Sequence, residues 1–83
     1  MTLDETLTER GSRYGDLMDQ ARIAQSVKSS FRVKNWGILE ADQKEALEMI
    51  ASKIARILNG DPHYEDSWRD IAGYATLVAD RLV

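Results

Sequence analysis

Five polar side chains in the second half of the chain have types and spacing that could do chemistry together. They are Lys53 and Arg56, followed by Asp66, Asp70 and Tyr74. Ammonium and guanidinium groups hold phosphate groups well, and carboxylates pair with such cations. The set therefore has two interpretations, a binding groove for a phosphorylated ligand and an ion-pair network that fixes the register of two helices.

The first two of these residues lie in a segment with the spacing of an amphipathic helix. Its apolar residues recur with a period near 3.6, and alternation typical of a strand is absent. These residues are Leu47, Ile50, Ala51, Ile54, Ile57 and Leu58. Asp42 and Glu45 have the spacing of a capping box, and Asn59-Gly60 is a stop signal. We therefore predict a helix from Asp42 to Asn59.

The other three residues lie in a second helical pattern that follows almost at once. Asp61 is a suitable N-cap and Pro62 a suitable first helical residue, so we predict a helix from Pro62 to Leu82. Its apolar stripe comprises Ile71, Tyr74, Ala75, Val78 and Leu82, with Trp68 at the flank. The short connection predicts an antiparallel hairpin. Its expected core is Ile50, Ile54, Ile57, Ile71, Val78 and Leu82.

The helical period also predicts which polar residues meet. At about 100° per residue, Lys53 and Asp70 lie roughly 100–110° to the same-signed side of their stripes. When two antiparallel helices face each other through their apolar stripes, residues rotated in the same direction from each stripe lie on the same side of the pair. Lys53 should therefore face Asp70, with Arg56 near Asp66 and Tyr74 one turn beyond Asp70.

The first half of the chain predicts two more helices. Thr2 to Arg10 is a short helix with a capping box, and Gly11 ends it. A longer helix, capped by Asp16, should run to about Arg32. Its expected inner face is Leu17, Ala21, Ala24, Val27 and Phe31. The segment Asn35-Trp36-Gly37 predicts an irregular turn in which Trp36 packs over one end of the bundle. The fold class is therefore all-α: a small bundle with a short N-terminal helix and three longer ones.

Length, composition and charge limit the function classes. The 83 residues predict one domain, 1–83, small enough that self-association would help its stability, so we expect a homo-oligomer. The net charge of -3 argues against binding to a nucleic-acid backbone. No apolar run approaches the length of a membrane span, and the acidic start, Asp4-Glu5, does not suit a secretory signal. We therefore expect a cytoplasmic protein.

Motifs along nearly the whole chain resemble a family of small uncharacterised phage and prophage proteins. They are Glu9-Arg-Gly-Ser-Arg-Tyr-Gly-Asp16, Trp36, Glu45-Ala-Leu-Glu-Met-Ile-Ala-Ser-Lys-Ile-Ala-Arg56 and Asp66-Ser-Trp-Arg-Asp-Ile-Ala-Gly-Tyr74. The pattern Lys-x-x-Arg followed by Asp-x-x-x-Asp-x-x-x-Tyr also resembles a nucleotide-modification-associated phage domain. More remotely, the chain resembles the MazG-like all-α nucleoside triphosphate pyrophosphohydrolases.

The remote resemblance implies a helical bundle, usually a dimer or tetramer, in which acidic residues hold Mg²⁺ at a nucleoside triphosphate. Carried onto this sequence, it implies Asp66 and Asp70 as metal ligands. The implied nucleotide-binding residues are Lys53, Arg56, Arg13, Tyr14 and Tyr74, with Arg13 and Tyr14 closing over the groove from the connector. If the protein is phage-encoded, the host cytoplasm is its expected location.

The sequence departs from the MazG-like pattern, which places Glu-x-x-Glu on one helix and Glu-x-x-Asp on the next. Glu45 and Glu48 have the first spacing, but Glu45 points away from the apolar stripe and Glu48 lies on the flank opposite Asp70. Lys53 and Arg56 stand where the first carboxylate pair should face the second. Ser67 replaces the second glutamate. Two carboxylates beside two cations form a poor metal cage but can still hold a nucleotide.

Two functional hypotheses follow. The first is a MazG-like nucleotide-binding protein of phage type, with a divergent phosphohydrolase activity on deoxynucleotides left open. The second is a non-enzymatic counter-defence protein that binds and inhibits a host protein complex, for example an anti-CRISPR, because a compact acidic domain can imitate the charge of nucleic acid. An enzyme should leave Asp70 accessible, whereas a blocking protein should bury it in ion pairs.

Overall fold

The computed structural model describes residues 2–3 and 15–83, and this part of the chain contains three α-helices and no strand. They are α1 (Leu17–Ser29), α2 (Ala41–Asn59) and α3 (Glu65–Leu82), with a 3₁₀ turn at Trp36–Ile38 between α1 and α2. The all-α prediction is confirmed for these residues. The predicted helix Thr2–Arg10 lies almost entirely outside them.

The start of α1 is as predicted, because the Asp16 carboxylate accepts a 2.7 Å hydrogen bond from the backbone N–H of Met18. The helix ends at Ser29 and does not reach Arg32. Of its predicted inner face, Ala24 is buried whereas Leu17 is 76% exposed. The prediction for Leu17 is wrong, because this first residue of α1 exposes its side chain to solvent.

The predicted helix Asp42–Asn59 is confirmed and begins one residue earlier, but its cap is different. Glu40 is the N-cap and forms a capping box with Gln43, whose side chain accepts the Glu40 N–H at 2.8 Å. The predicted pair of Asp42 and Glu45 is therefore wrong. The physical reason is that the Asp42 carboxylate is bonded to Arg81.

α3 begins three residues later than predicted, at Glu65 with Tyr64 as its N-cap. The Asp61 carboxylate accepts the N–H of His63 at 2.9 Å, which makes a local turn of its own. The Pro62 carbonyl accepts the indole N–H of Trp68 at 2.9 Å. These two bonds hold 61–64 as a turn, so Pro62 does not start the helix.

The central helix of the described part is α2, which packs against both α1 and α3. Buried positions are occupied by small or polar residues: Ala24, Ala46, Ala51, Ala55, Lys53 and Ser67. The predicted core residues Ile50, Ile54, Ile57, Ile71 and Val78 are only half-buried. Leu82, in the last turn of α3, is 60% exposed, so its assignment to the core is wrong. In the described part of the chain the alanines are therefore more deeply buried than the larger apolar side chains.

A glycine holds the beginning of α1 close to the end of α2. Gly15 has a φ of +78°, and a Cβ atom there would lie 2.2 Å from the carbonyl oxygen of Asn59. The Asn59 side chain donates to the carbonyl of Asp16 at 2.9 Å. Any larger residue at position 15 would therefore both strain the backbone and separate these two helix ends.

Arg81 joins the last turn of α3 to the first turn of α2. Its guanidinium donates to both carboxylate oxygens of Asp42, at 2.5 and 2.8 Å, and lies 3.0 Å from Glu40. Two parallel bonds to one carboxylate are the strongest geometry available to arginine. Among the described residues, no helix is long and apolar enough to cross a membrane.

The Asp42–Arg81 pair predicts a specific acid dependence of stability. Hydrogen bonding from Arg81 lowers the pKa of Asp42 below its usual 3.8. A lowered folded-state pKa stabilises the fold fully above pH 3.8 and progressively less as the pH falls through the folded-state value. Asp42→Asn should therefore melt below wild type at pH 7, and the difference should shrink towards about pH 2. Circular dichroism melting curves measure this.

The matched control for this test is Asp19→Asn, because Asp19 pairs with Arg22 inside a single helix at 3.6 Å. Its melting temperature should stay close to wild type across the same pH range, since exposed pairs within one helix contribute little. A constant difference between Asp42→Asn and wild type from neutral to acid pH would contradict the assignment of the titrating contact to Asp42.

Candidate functional site

The structure brings Lys53 and Asp70 together between α2 and α3. The Lys53 ammonium lies 3.0 Å from Asp70 Oδ2. Lys53 is only 8% exposed. At about 100° per residue it lies on the side of α2 that carries Ala46, whereas Ala51 and Ala55 lie on roughly the opposite side. Its aliphatic stem can pack between the helices while its charged end reaches the carboxylate. The pair therefore forms at the edge of the contact between the two helices.

The two partners have unequal exposure. The Lys53 side chain is 10% exposed, whereas the Asp70 side chain is 47% exposed. A buried ammonium is costly unless an anion compensates it, and Asp70 supplies that anion. Because the carboxylate reaches solvent, a ligand can approach the pair from the Asp70 side. The exposure of Asp70 is thus intermediate: the enzyme hypothesis requires an accessible Asp70, and the blocking-protein hypothesis requires a buried one.

Asp66, which we predict to lie near Arg56, takes its hydrogen bond from another residue. The Asp66 carboxylate accepts a hydrogen bond from the Tyr64 hydroxyl at 3.1 Å, and no ion pair within 4 Å joins Asp66 to Arg56 in the described part of the chain. The reason is the late start of α3, which places Asp66 in its first turn beside the N-cap residue. Asp66 nonetheless lies one helical turn from Asp70, on the same side of α3.

Tyr74 lies one turn beyond Asp70, as predicted, and is half-buried. It lines a shallow depression with Asp70, Gly73 and Leu77. The same ring also lines a second depression beside Asp42 on α2. Tyr74 therefore connects the Lys53–Asp70 pair with the surface near the Arg81 contact. We call the surface formed by Lys53, Asp66, Asp70 and Tyr74 the groove.

Two predicted site residues, Arg13 and Tyr14, lie outside the described residues. Within 15–83 and the two residues at the N-terminus, no group of three or more histidine, aspartate or glutamate side chains could hold a metal ion. A metal at Asp66 and Asp70 would therefore need further ligands from a bound molecule or from water.

Two features of the described surface escaped sequence reasoning. Arg81 was not assigned a role, although the register that pairs Lys53 with Asp70 also places Arg81 level with Asp42. The second feature is an aromatic and basic cluster at the end of α1, where the rings of Phe31 and Trp36 stack with centroids 5.7 Å apart. A turn of this kind carries no periodic signal, so only the folded chain shows which side chains meet there.

A comparison with protein families assigns this chain to a family. Residues 3–82 match the family described as a domain of unknown function, DUF6378, and the chain belongs to that family. Neither the curated proteins nor the solved structures contain a significant match. The family assignment covers nearly the whole chain but carries no activity, so the function has to be argued from the site itself.

The buried lysine predicts a large coupling between positions 53 and 70. Asp70→Asn leaves a charged lysine with 8% exposure beside a neutral amide. The cost should be about 1–3 kcal/mol, between that of surface and fully buried pairs, because Asp70 is partly solvated. Lys53→Met in the same chain should recover most of this loss, since no buried charge then remains. Urea unfolding of the four chains of this double-mutant cycle measures the coupling.

A suitable reference cycle uses Glu65 and Arg69, which form an exposed pair within α3 at 2.6 Å. Its coupling should be only about 0.3–0.5 kcal/mol. Equal couplings in the two cycles would contradict the conclusion that Lys53 depends on Asp70 for its buried position.

Proposed function

We propose that this DUF6378 protein is a nucleotide-binding protein whose groove contains Lys53 and Asp70. The observation that supports the proposal is the buried Lys53 ammonium, held 3.0 Å from a carboxylate that is about half exposed. A pair of this kind is a poor means of stabilising a fold, because well-packed apolar residues usually serve equally well. The free-energy cost of burying the Lys53 ammonium is easier to explain if the ammonium also binds a ligand.

In the proposed complex the phosphate groups approach the pair from the exposed side of Asp70. Lys53 then shares its ammonium protons between Asp70 and a phosphate oxygen, and Arg56 adds a second cation. Mg²⁺ in nucleotide sites is commonly held by one or two carboxylates together with substrate phosphates and water. Asp66 and Asp70 meet that requirement without a third carboxylate. Arg13 and Tyr14, which lie outside the described residues, are the further nucleotide-binding residues of the proposal.

The proposal includes an antiparallel arrangement of α2 and α3. Two contacts support it: Arg81 at the end of α3 meets Asp42 at the start of α2, and Lys53 meets Asp70 nearer the middle of both helices. This order keeps Tyr74 between the two ion pairs. The resemblance to MazG-like enzymes motivates a test for phosphohydrolase activity, but the binding proposal does not depend on turnover.

Thermal shift against nucleoside triphosphates, with and without Mg²⁺, tests the proposal. A ligand at about one hundred times its Kd stabilises the folded state by about 2.7 kcal/mol. We expect such stabilisation for wild type, stronger with Mg²⁺, and its loss in Lys53→Met. The matched control is Lys34→Met, because Lys34 is exposed and lies outside the groove. No stabilisation of wild type by any triphosphate, or equal losses in both variants, would refute the proposal.

The protein is also proposed to function as a homo-oligomer. In the described part of the chain the fully buried side chains are small alanines. An apolar groove beside them remains open among Leu39, Leu47, Ile50, Ala75 and Val78. A second copy offers the same apolar surface, so pairing would cover both.

A charge in the open apolar groove should disrupt this assembly. Leu47 lines the apolar groove and is 38% exposed, so Leu47→Glu should give a monomer that remains helical. Leu58→Glu is the control, because Leu58 is 68% exposed and does not line the apolar groove. Light scattering should show an oligomer for wild type and for the control. A wild-type mass of 9.4 kDa at micromolar concentration would contradict the assembly.

A second candidate function is the binding of a host protein by α3. Exposed apolar residues on this helix favour it, because Trp68, Leu77 and Leu82 are 55%, 71% and 60% exposed. At about 100° per residue Trp68 and Leu77 lie on opposite sides of α3, so the surface proposed for the partner is the side with Leu77 and Tyr74, which line the same depression. Under this hypothesis Leu77→Glu abolishes inhibition of the host complex, whereas Lys53→Met retains it.

A further inference from the structure

A pocket separate from the groove lies between the end of α1, the 3₁₀ turn and α2. Its main lining residues are Gln25, Lys28, Phe31, Arg32, Trp36 and Glu48. The cavity volume is about 220 Å³, somewhat below the range of about 300–1,000 Å³ that is usual for drug-sized ligands. Its lining residues Gln25, Ser29 and Arg32 are exposed, so the pocket opens to solvent and a bound ligand can extend beyond it.

The pocket lies in the basic part of an acidic protein. Residues 20–39 contain Arg22, Lys28, Arg32 and Lys34 and no carboxylate, although the whole chain has a net charge of -3. Gln25 and Lys28 are three residues apart on α1, and Arg32 follows the end of that helix; all three line the pocket. The positive charge of this segment is thus concentrated beside the cavity.

Helix capping does not account for these cations. Carbonyl groups at the end of α1 already accept hydrogen bonds from the chain itself: Ser29 Oγ to Ser26, Ser30 Oγ to Val27, and the Phe31 N–H to Lys28. Lysine and arginine often serve such carbonyls, but here backbone and hydroxyl donors satisfy them. Lys28 and Arg32 form no ion pair within 4 Å in the described part of the chain, not even with Glu48 in the same pocket.

The wall of the pocket is aromatic and held in place. Phe31 and Trp36 stack at 5.7 Å with an interplanar angle of 28°, and Lys44 on α2 places its ammonium 5.7 Å from the centre of the Trp36 ring. This arrangement fixes the indole ring against the rest of the cluster. A flat group can contact the edges of both rings while an anionic group reaches the cations.

We propose that this pocket binds a nucleoside monophosphate. Lys28 and Arg32 hold the phosphate by charge-assisted hydrogen bonds, and the base lies against Phe31 and Trp36. The Glu48 carboxylate accepts hydrogen bonds from the sugar hydroxyls or a base amino group. Glu48 also disfavours ligands with several phosphates, because a second negative group would approach its carboxylate. The inference goes beyond the groove and stands whether or not the groove binds a nucleotide.

Trp36 is a direct reporter for this pocket once the other tryptophan is removed. In a Trp68→Phe chain, titration with AMP should give a saturable change in Trp36 fluorescence. Lys28→Gln and Arg32→Gln should each weaken AMP binding at least about tenfold, the effect of losing roughly 1.4 kcal/mol of a charge-assisted contact. Lys34→Gln is the matched control, because it removes one charge from the same segment without lining the pocket.

Further ligands and variants make the test decisive. Adenosine, which lacks the phosphate, and inorganic phosphate, which lacks the ring, should each bind at least tenfold more weakly than AMP. Lys53→Met should leave the Trp36 signal unchanged, which separates this pocket from the groove. The proposal is overturned if AMP gives no saturable signal, if adenosine binds as tightly as AMP, or if Lys34→Gln weakens binding as much as Lys28→Gln.

Discussion

The burial of one positive charge constrains the contact between α2 and α3. An ammonium with 8% exposure requires an anion within reach, and Asp70 is the side chain that supplies it at 3.0 Å. Sliding α3 along α2 by one turn would separate the two charges. Arg81 adds a second fixed point by binding Asp42 near the other end of the contact. Together the two pairs fix the register of α2 against α3.

Much of this arrangement could be predicted from helical periodicity. The positions of Lys53 and Asp70 relative to their apolar stripes depend only on residue spacing, which sequence reasoning handles well. The capping residue of each helix is harder to predict, because one carboxylate can accept hydrogen bonds from several alternative donors. Asp42 is taken by Arg81 and Asp61 by the N–H of His63, so neither starts a helix. Such choices depend on which distant groups approach the carboxylate.

The interior of the bundle shows a second limit of sequence reasoning. Periodicity assigned the large apolar residues to a core, whereas small residues such as Ala51 and Ala55 are the ones fully buried. Isoleucine and leucine side chains of the described helices remain partly exposed. The pocket beside Trp36 was also beyond prediction, since it needs the irregular turn, α1 and α2 to be in place.

The most direct test of this account is the hydrogen exchange of the lysine ammonium groups, observed by ¹H–¹⁵N NMR near neutral pH and low temperature. The chain has four lysines, and Lys53 is the buried one. The account predicts one ammonium signal with markedly slower exchange than the others, absent in Lys53→Met and faster in Asp70→Asn. Equally fast exchange of all four ammonium groups would contradict the buried, paired lysine on which the structure and the proposed site both depend.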